Sequence, residues 1–147
     1  MPGYFIDSGA LVKRYHPEVG TIRVDQIVDS ASNTIVISRL TPVELISALA
    51  IKVRTKAIVQ QEVELCLRRF RSDIAMGRPE VFSIAQSEFA TAEFLVERYA
   101  VSLRLRALHA LQLAVALALR KKQLVDHFVA ADKTLCEVAE RVGFSVN

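Results

Sequence analysis

Tyr4-Phe5-Ile6-Asp7-Ser8 is the stretch on which the reading of this chain turns. Its apolar part, three β-compatible residues in a row without polar alternation, predicts a short strand buried on both faces, as in a parallel sheet. Asp7 then stands at the carboxyl end of that strand. Open α/β sheets bind ligands at this edge, because strand ends and the helix starts that follow them leave a crevice there. The local alternative is that Asp7 or Ser8 simply caps the helix begun by Gly9-Ala10-Leu11-Val12, since both residue types are preferred caps.

Outward from this stretch, Ala10 to Tyr15 reads as a short helix closed by His16-Pro17, because a residue before proline disfavours the α region. A helix over Gly20 to Ser30 is followed by a second apolar, β-branched strand, Thr34-Ile35-Val36-Ile37-Ser38. Thr41-Pro42-Val43-Glu44 has the outline of a capping box with proline at the first helical position. The helix it opens runs to about Thr55, with Val43, Ile46, Leu49, Ala50 and Val53 as its apolar face. Another follows from about Val59 to Met76, carrying Val63, Leu67, Phe70 and Ile74. Gly77-Arg78-Pro79 breaks it before a third strand, Val81-Phe82-Ser83-Ile84. Helices over Ser87 to Tyr99 and Arg104 to Lys122 precede a fourth strand, Phe128-Val129-Ala130-Ala131, ending at Asp132. A last helix, Asp132 to Val142, and an edge strand, Phe144-Ser145-Val146, complete the chain. Strands alternating with helices predict a mainly parallel sheet covered on both faces. The expected architecture is a three-layer α/β/α sandwich in a single domain over residues 1–147.

Composition agrees with that class. The chain has 147 residues, 52% of them apolar, and a mean hydropathy of +0.29. A chain this long buries roughly 70% of its unfolded surface, and such apolar content excludes disorder and suggests a well-covered sheet or an apolar oligomer surface. The longest apolar run, Leu111 to Leu119, is interrupted by Gln112 and is too short to span a membrane. The Leu111, Val115 and Leu119 stripe is a core face. The start of the chain lacks the basic and long apolar regions of a secretory signal, so a cytoplasmic protein is expected. Cys66 and Cys136 stand apart with no second Cys or His at ligand spacing and read as buried free thiols. Net charge is only +3, but the cations are grouped: Lys52, Arg54 and Lys56; Arg68, Arg69 and Arg71; Arg104 and Arg106; Arg120, Lys121 and Lys122. This grouping suits a phosphate-bearing partner, although each cluster equally suits a solvated face or a helix C-terminus.

The candidate chemistry lies in the acids. Two strands end in aspartate, Ile6-Asp7-Ser8 and Ala131-Asp132-Lys133, and parallel strands bring both to one edge. Glu44, near the start of the helix after the second strand, approaches the same edge. Three carboxylates together repel one another, and a bound hard cation, Mg²⁺ or Mn²⁺, relieves the repulsion. The alternative is that Glu44 only completes its capping box and Asp132 only caps the last helix.

Four blocks resemble the motifs of PIN-domain proteins, especially the VapC-like toxins. They are Tyr-Phe-Ile-Asp-Ser-Gly-Ala-Leu-Val-Lys-Arg-Tyr (4–15), Thr-Pro-Val-Glu-Leu (41–45), Leu-Arg-Ala-Leu-His-Ala-Leu-Gln-Leu-Ala (105–114) and Phe-Val-Ala-Ala-Asp-Lys-Thr-Leu (128–135). The resemblance implies a metal-dependent ribonuclease, the toxin of a toxin-antitoxin pair, with an RNA substrate, an antitoxin partner and a homodimeric assembly. It implies Asp7, Glu44 and Asp132 as ligands of Mg²⁺ or Mn²⁺, and Ser8 in the outer shell of the metal. The chain departs from the pattern at His109, where the third block usually has Asp. A neutral imidazole ligates Mn²⁺ better than Mg²⁺, which prefers oxygen. A protonated one pairs with the carboxylates and competes with the cation. His109 therefore joins Asp7, Glu44 and Asp132 as an altered member of the catalytic set. Two further readings stand beside the nuclease: a degenerate PIN domain that binds partners without cleaving RNA, and an interaction protein whose acids are only caps. His16 and His127 are expected in loops or at the surface, without a catalytic role.

Overall fold

The protein is described by a computed structural model, and the described residues are 1–146. Five strands form one sheet: β1 (Gly3–Ile6), β2 (Thr34–Ser38), β3 (Glu80–Phe82), β4 (His127–Val129) and β5 (Ser145–Val146). Their order is β3-β2-β1-β4-β5, and every pairing is parallel. Seven helices accompany them among the described residues: α1 (Ser8–Tyr15), α2 (Thr21–Asp29), α3 (Thr41–Arg54), α4 (Gln60–Ala75), α5 (Gln86–Leu103), α6 (Ala107–Lys121) and α7 (Lys133–Arg141).

Alternation along the strands divides the core in two. Phe5, Val36 and Phe128, which are paired across the sheet, pack with Leu95, Leu113 and Leu135 of α5, α6 and α7. Their neighbours Ile6, Ile35, Ile37 and Val129 point the other way, against Leu11, Ile27, Leu45 and Phe70 of α1 to α4. Successive side chains of a strand face opposite sides, so apolar residues at consecutive positions require a helical layer on each face. This is the three-layer α/β/α sandwich expected. At the start of β1, Gly3 lies so close to the 124–126 loop that a Cβ would come within 1.9 Å of the Leu124 carbonyl oxygen. The Gly3 N–H donates to the Asp126 side-chain carboxylate and the Asp126 N–H donates to the Gly3 carbonyl, both at 2.8 Å, which holds the two segments together.

Several boundaries differ from the sequence reading. β3 starts at Glu80 because it pairs in register with Val36, Ile37 and Ser38. β4 ends at Val129, whose carbonyl accepts the Asp7 N–H at 2.8 Å, and Ala130-Ala131 lead on to Asp132. α5 runs on to Leu103, where Arg104, with φ of 59°, ends it in the left-handed region, so α6 starts only at Ala107. The buried face of α3 is Thr41, Leu45 and Leu49, whereas Val43 and Ile46 are exposed. The rotation that turns Glu44 and Ala48 toward the carboxyl edge of the sheet turns Val43 and Ile46 outward. His127 opens β4 instead of preceding it, and its ring stacks on Tyr4 at 4.5 Å.

Among the described residues no helix is long and apolar enough to cross a membrane. Both cysteines are free thiols; Cys66 is buried and Cys136 half-buried. Part of the basic charge is structural: Lys52 pairs with Glu18 at 3.0 Å, and Arg120 donates to the Val142 carbonyl at 2.8 Å while lying over the Phe144 ring.

Candidate active site

At the carboxyl edge of the sheet, Asp7, Ser8, Gly9, Glu44, Ala48, Arg106, His109, Ala131 and Asp132 line one open cleft of about 440 Å³. The four residues singled out from sequence, Asp7, Glu44, His109 and Asp132, are thus brought together, and Ser8 with them. Each arrives on a different element. Asp7 follows β1 and caps α1, Glu44 lies in the first turn of α3, His109 in the first turn of α6, and Asp132 follows β4 and caps α7.

Each acid gives one oxygen to the protein. Asp7 Oδ2 accepts the Gly9 N–H at 3.3 Å and Asp132 Oδ1 accepts the Leu135 N–H at 2.8 Å. Both are helix caps in fact, where a negative charge also complements the helix dipole. Glu44 does not complete a capping box: α3 has no side-chain cap. Instead Glu44 Oε1 accepts from Ser8 Oγ at 2.8 Å and from Gln112 Nε2 at 2.7 Å. Capping therefore accounts for one oxygen of each aspartate and for neither oxygen of Glu44.

Asp7 is the exceptional group. It is 3% exposed, and its Oδ1 is buried without a hydrogen-bond partner. Burial raises its carboxyl from the ordinary 3.8 to about 6; His109 opposes the rise, Glu44 adds to it, and the Gly9 and Ser8 N–H groups lower it. A buried carboxylate oxygen lacking a donor has a strong preference for positive charge. The Cys136 thiol, raised chiefly by burial, is also pushed up by Asp132 and Asp7, so it feels both aspartates. Among the described residues no group of three or more His, Cys, Asp or Glu side chains is arranged so as to hold a metal ion. The remaining acid oxygens, Asp7 Oδ1, Glu44 Oε2 and Asp132 Oδ2, are hard donors of the kind Mg²⁺ and Mn²⁺ take, and the imidazole of His109 adds a nitrogen donor suited to Mn²⁺. The chemistry of the donors present therefore suits a divalent cation, although these side chains are not gathered into a ligand set in this structure. Arg106, exposed at the N-cap of α6, is the basic residue among those lining the cleft.

One residue of the site was missed from sequence. Gln112 is fully buried, one turn beyond His109 on α6, and reaches Ser8, Thr41 and Glu44 with its amide nitrogen and Ser38 with its carbonyl. The available signal was its polarity in the middle of the most apolar run of the chain. Thr41, read as a capping hydroxyl, is a buried member of the same group.

No protein-family model matches the chain, and no curated protein does. Solved structures do. Mycobacterium tuberculosis VapC20, described as a sarcin-ricin loop cleaving toxin, superposes with a TM-score of 0.68 at 14% identity, covering 97% of this chain and 96% of that one. FitAcB from Neisseria gonorrhoeae gives 0.65 at 16% identity, covering 97% and 95%. PAE2754 from Pyrobaculum aerophilum gives 0.56 at 17% identity, covering 99% and 89%. At these identities the likeness is one of fold. It establishes for this chain the PIN-like three-layer architecture that the motif blocks imply.

Proposed function

We propose that the protein is a metal-dependent endoribonuclease, the toxin of a toxin-antitoxin pair, which hydrolyses RNA phosphodiester bonds in the cleft at the carboxyl edge of its sheet. The observation that carries this reading is the buried, unpartnered Oδ1 of Asp7 in a cleft shared with Glu44, Asp132 and His109. Asp7, Glu44 and Asp132 would hold Mg²⁺ or Mn²⁺, and a cation so held activates water and stabilises charge on the phosphate. Asp7 and Asp132 are fixed in place by their helix caps, Glu44 by Ser8 and Gln112. Arg106 offers a charge-assisted contact to an RNA phosphate at the mouth of the cleft. The likeness of fold to a sarcin-ricin loop cleaving toxin supports the substrate class. Exposed Val43, Ile46, Phe94 and Val101 support a chain that works in an assembly, as a homodimer with an antitoxin bound.

His109 supports a second reading, a domain of the same fold that binds partners but does not turn over RNA. The chain has one fewer carboxylate than the motif calls for, and His109 already acts on Asp7 in the direction a cation would. The two readings separate in one assay. Purified protein is incubated with a mixed structured RNA in Mg²⁺, in Mn²⁺ and in EDTA, beside Asp7→Ala. The first reading expects cleavage that needs the metal and is lost in Asp7→Ala while the variant stays folded. Cleavage unchanged in folded Asp7→Ala refutes it, and no cleavage under any condition favours the second.

A further inference from the structure

We infer that Gln112 is a positioning residue that fixes the carboxylate of Glu44 for the cation. The inference rests on the metal-dependent reading above and adds to it a residue outside the ligand set. Gln112 projects from α6 into the interior, where Ser38 Oγ donates to its Oε1 at 2.6 Å. That bond fixes the amide orientation. Its Nε2 then faces three acceptors: Glu44 Oε1 at 2.7 Å, Ser8 Oγ at 3.0 Å and Thr41 Oγ1 at 3.1 Å. The flipped amide would set its carbonyl against the Glu44 carboxylate, two acceptors with no proton between them. Two amide hydrogens serve three acceptors, and the shortest contact goes to the charged one, where a hydrogen bond is worth most. Ser8 Oγ accepts from the amide and passes its own hydrogen to the same Glu44 oxygen at 2.8 Å.

Glu44 Oε1 is therefore held by two neutral donors, both anchored in the core, and Oε2 takes part in none of these bonds. A Lys or Arg in place of Gln112 would also hold the carboxylate, but its charge would compete with the cation for it. A neutral amide orients Glu44 and leaves its negative charge to the metal, the usual way an outer partner tunes a ligand. The same bonds explain why a polar side chain sits wholly buried in an otherwise apolar helix: each of its polar atoms is satisfied.

The test is a calorimetric titration of Mn²⁺ into the full chain, with melting in EDTA measured alongside. Gln112→Met keeps length and volume but removes donor and acceptor. It is expected to weaken Mn²⁺ binding about 10- to 100-fold. Ser38→Ala, which only frees the amide to rotate, is expected to weaken it less but in the same direction. In a Glu44→Gln background, Gln112→Met should cost no further affinity, because the oxygen it orients has lost its charge. Unchanged Mn²⁺ affinity in Gln112→Met with a lowered melting temperature in EDTA overturns the inference, leaving Gln112 a core residue only. Additive losses in the double variant overturn it as well. If Gln112→Met does not fold, Ser38→Ala decides, and unchanged affinity there refutes the role. Failure of the wild-type chain to bind Mn²⁺ overturns the functional reading along with this one, whereas wild-type binding with unaltered variants overturns this one alone.

Discussion

Asp7→Asn should make the metal-free protein more stable at neutral pH while removing its activity. Folding carries the Asp7 carboxyl from 3.8 to about 6, chiefly by burial. At about 1.4 kcal/mol per pH unit, this displacement corresponds to about 3 kcal/mol. The folded state binds the Asp7 proton more tightly than the unfolded chain does. The stabilisation this gives is complete below pH 3.8, declines as pH rises and is gone above about 6, where the buried group is ionised. Asparagine never ionises. Its NH₂ replaces an oxygen that had no partner, which costs about 1 kcal/mol, so a net gain of about 2 kcal/mol is expected at pH 7.5. For a chain of this size that is about 4–8 °C in Tm. The assay is thermal melting of both proteins in EDTA between pH 4 and 8, read as the difference between them so that other titrating groups cancel. The difference should be near zero or slightly negative at pH 4 and grow through pH 6. Millimolar Mn²⁺ should raise the wild-type Tm by mass action and leave Asp7→Asn unmoved. A difference that stays flat with pH, or a variant less stable than wild type at pH 7.5, refutes the argument that Asp7 is an uncompensated buried charge.

Two other outcomes follow from named contacts. His109→Asp replaces a side chain that holds the Asp7 carboxyl down with one that pushes it up. It should lower Tm in EDTA at pH 7.5 and raise the ratio of Mg²⁺- to Mn²⁺-supported cleavage by about tenfold, as an oxygen donor replaces nitrogen; initial rates in the two metals measure it. Arg78 donates to the carbonyls of Val28, Ser30 and Asn33, tying the end of α2 to the segment before β3. Arg78→Met should cost about 2–4 kcal/mol in urea unfolding, and Arg78→Lys should not restore it because an ammonium lacks the planar fork. Cleavage per folded molecule should be unchanged in both.

The order of elements and the layering could be read from the apolar runs because the central strands β1, β2 and β4 carry consecutive buried Phe, Ile and Val residues, a pattern that only double coverage satisfies. The carboxyl-edge placement of Asp7 and Asp132 followed from the same strands. The α5–α6 boundary was not legible: Arg104 occupies a left-handed position where sequence reasoning looks for glycine. Nor was the rotation of α3, since Val43 and Ile46 match the helical period as well as Leu45 and Leu49 do, and only tertiary packing chooses between the two faces. The hydrogen-bond partners of Glu44 were hidden for a similar reason. A Thr-Pro-Val-Glu start satisfies the capping-box spacing, but Ser8 and Gln112, 36 and 68 positions away in sequence, offer the carboxylate better partners than the end of its own helix.

If a cation held at Asp7, Glu44 and Asp132 drives hydrolysis of RNA, the end groups of the cleaved RNA record it. A uniquely labelled RNA is incubated with purified partner-free protein in Mn²⁺, and the new termini are identified. Attack by a metal-activated water leaves a linear phosphate at one terminus and a hydroxyl at the other. Such ends are expected, with no 2′,3′-cyclic phosphate and no product in EDTA. Cyclic phosphate ends formed equally well in EDTA would contradict that expectation, because they would mean that the RNA's own 2′-hydroxyl attacks without the metal.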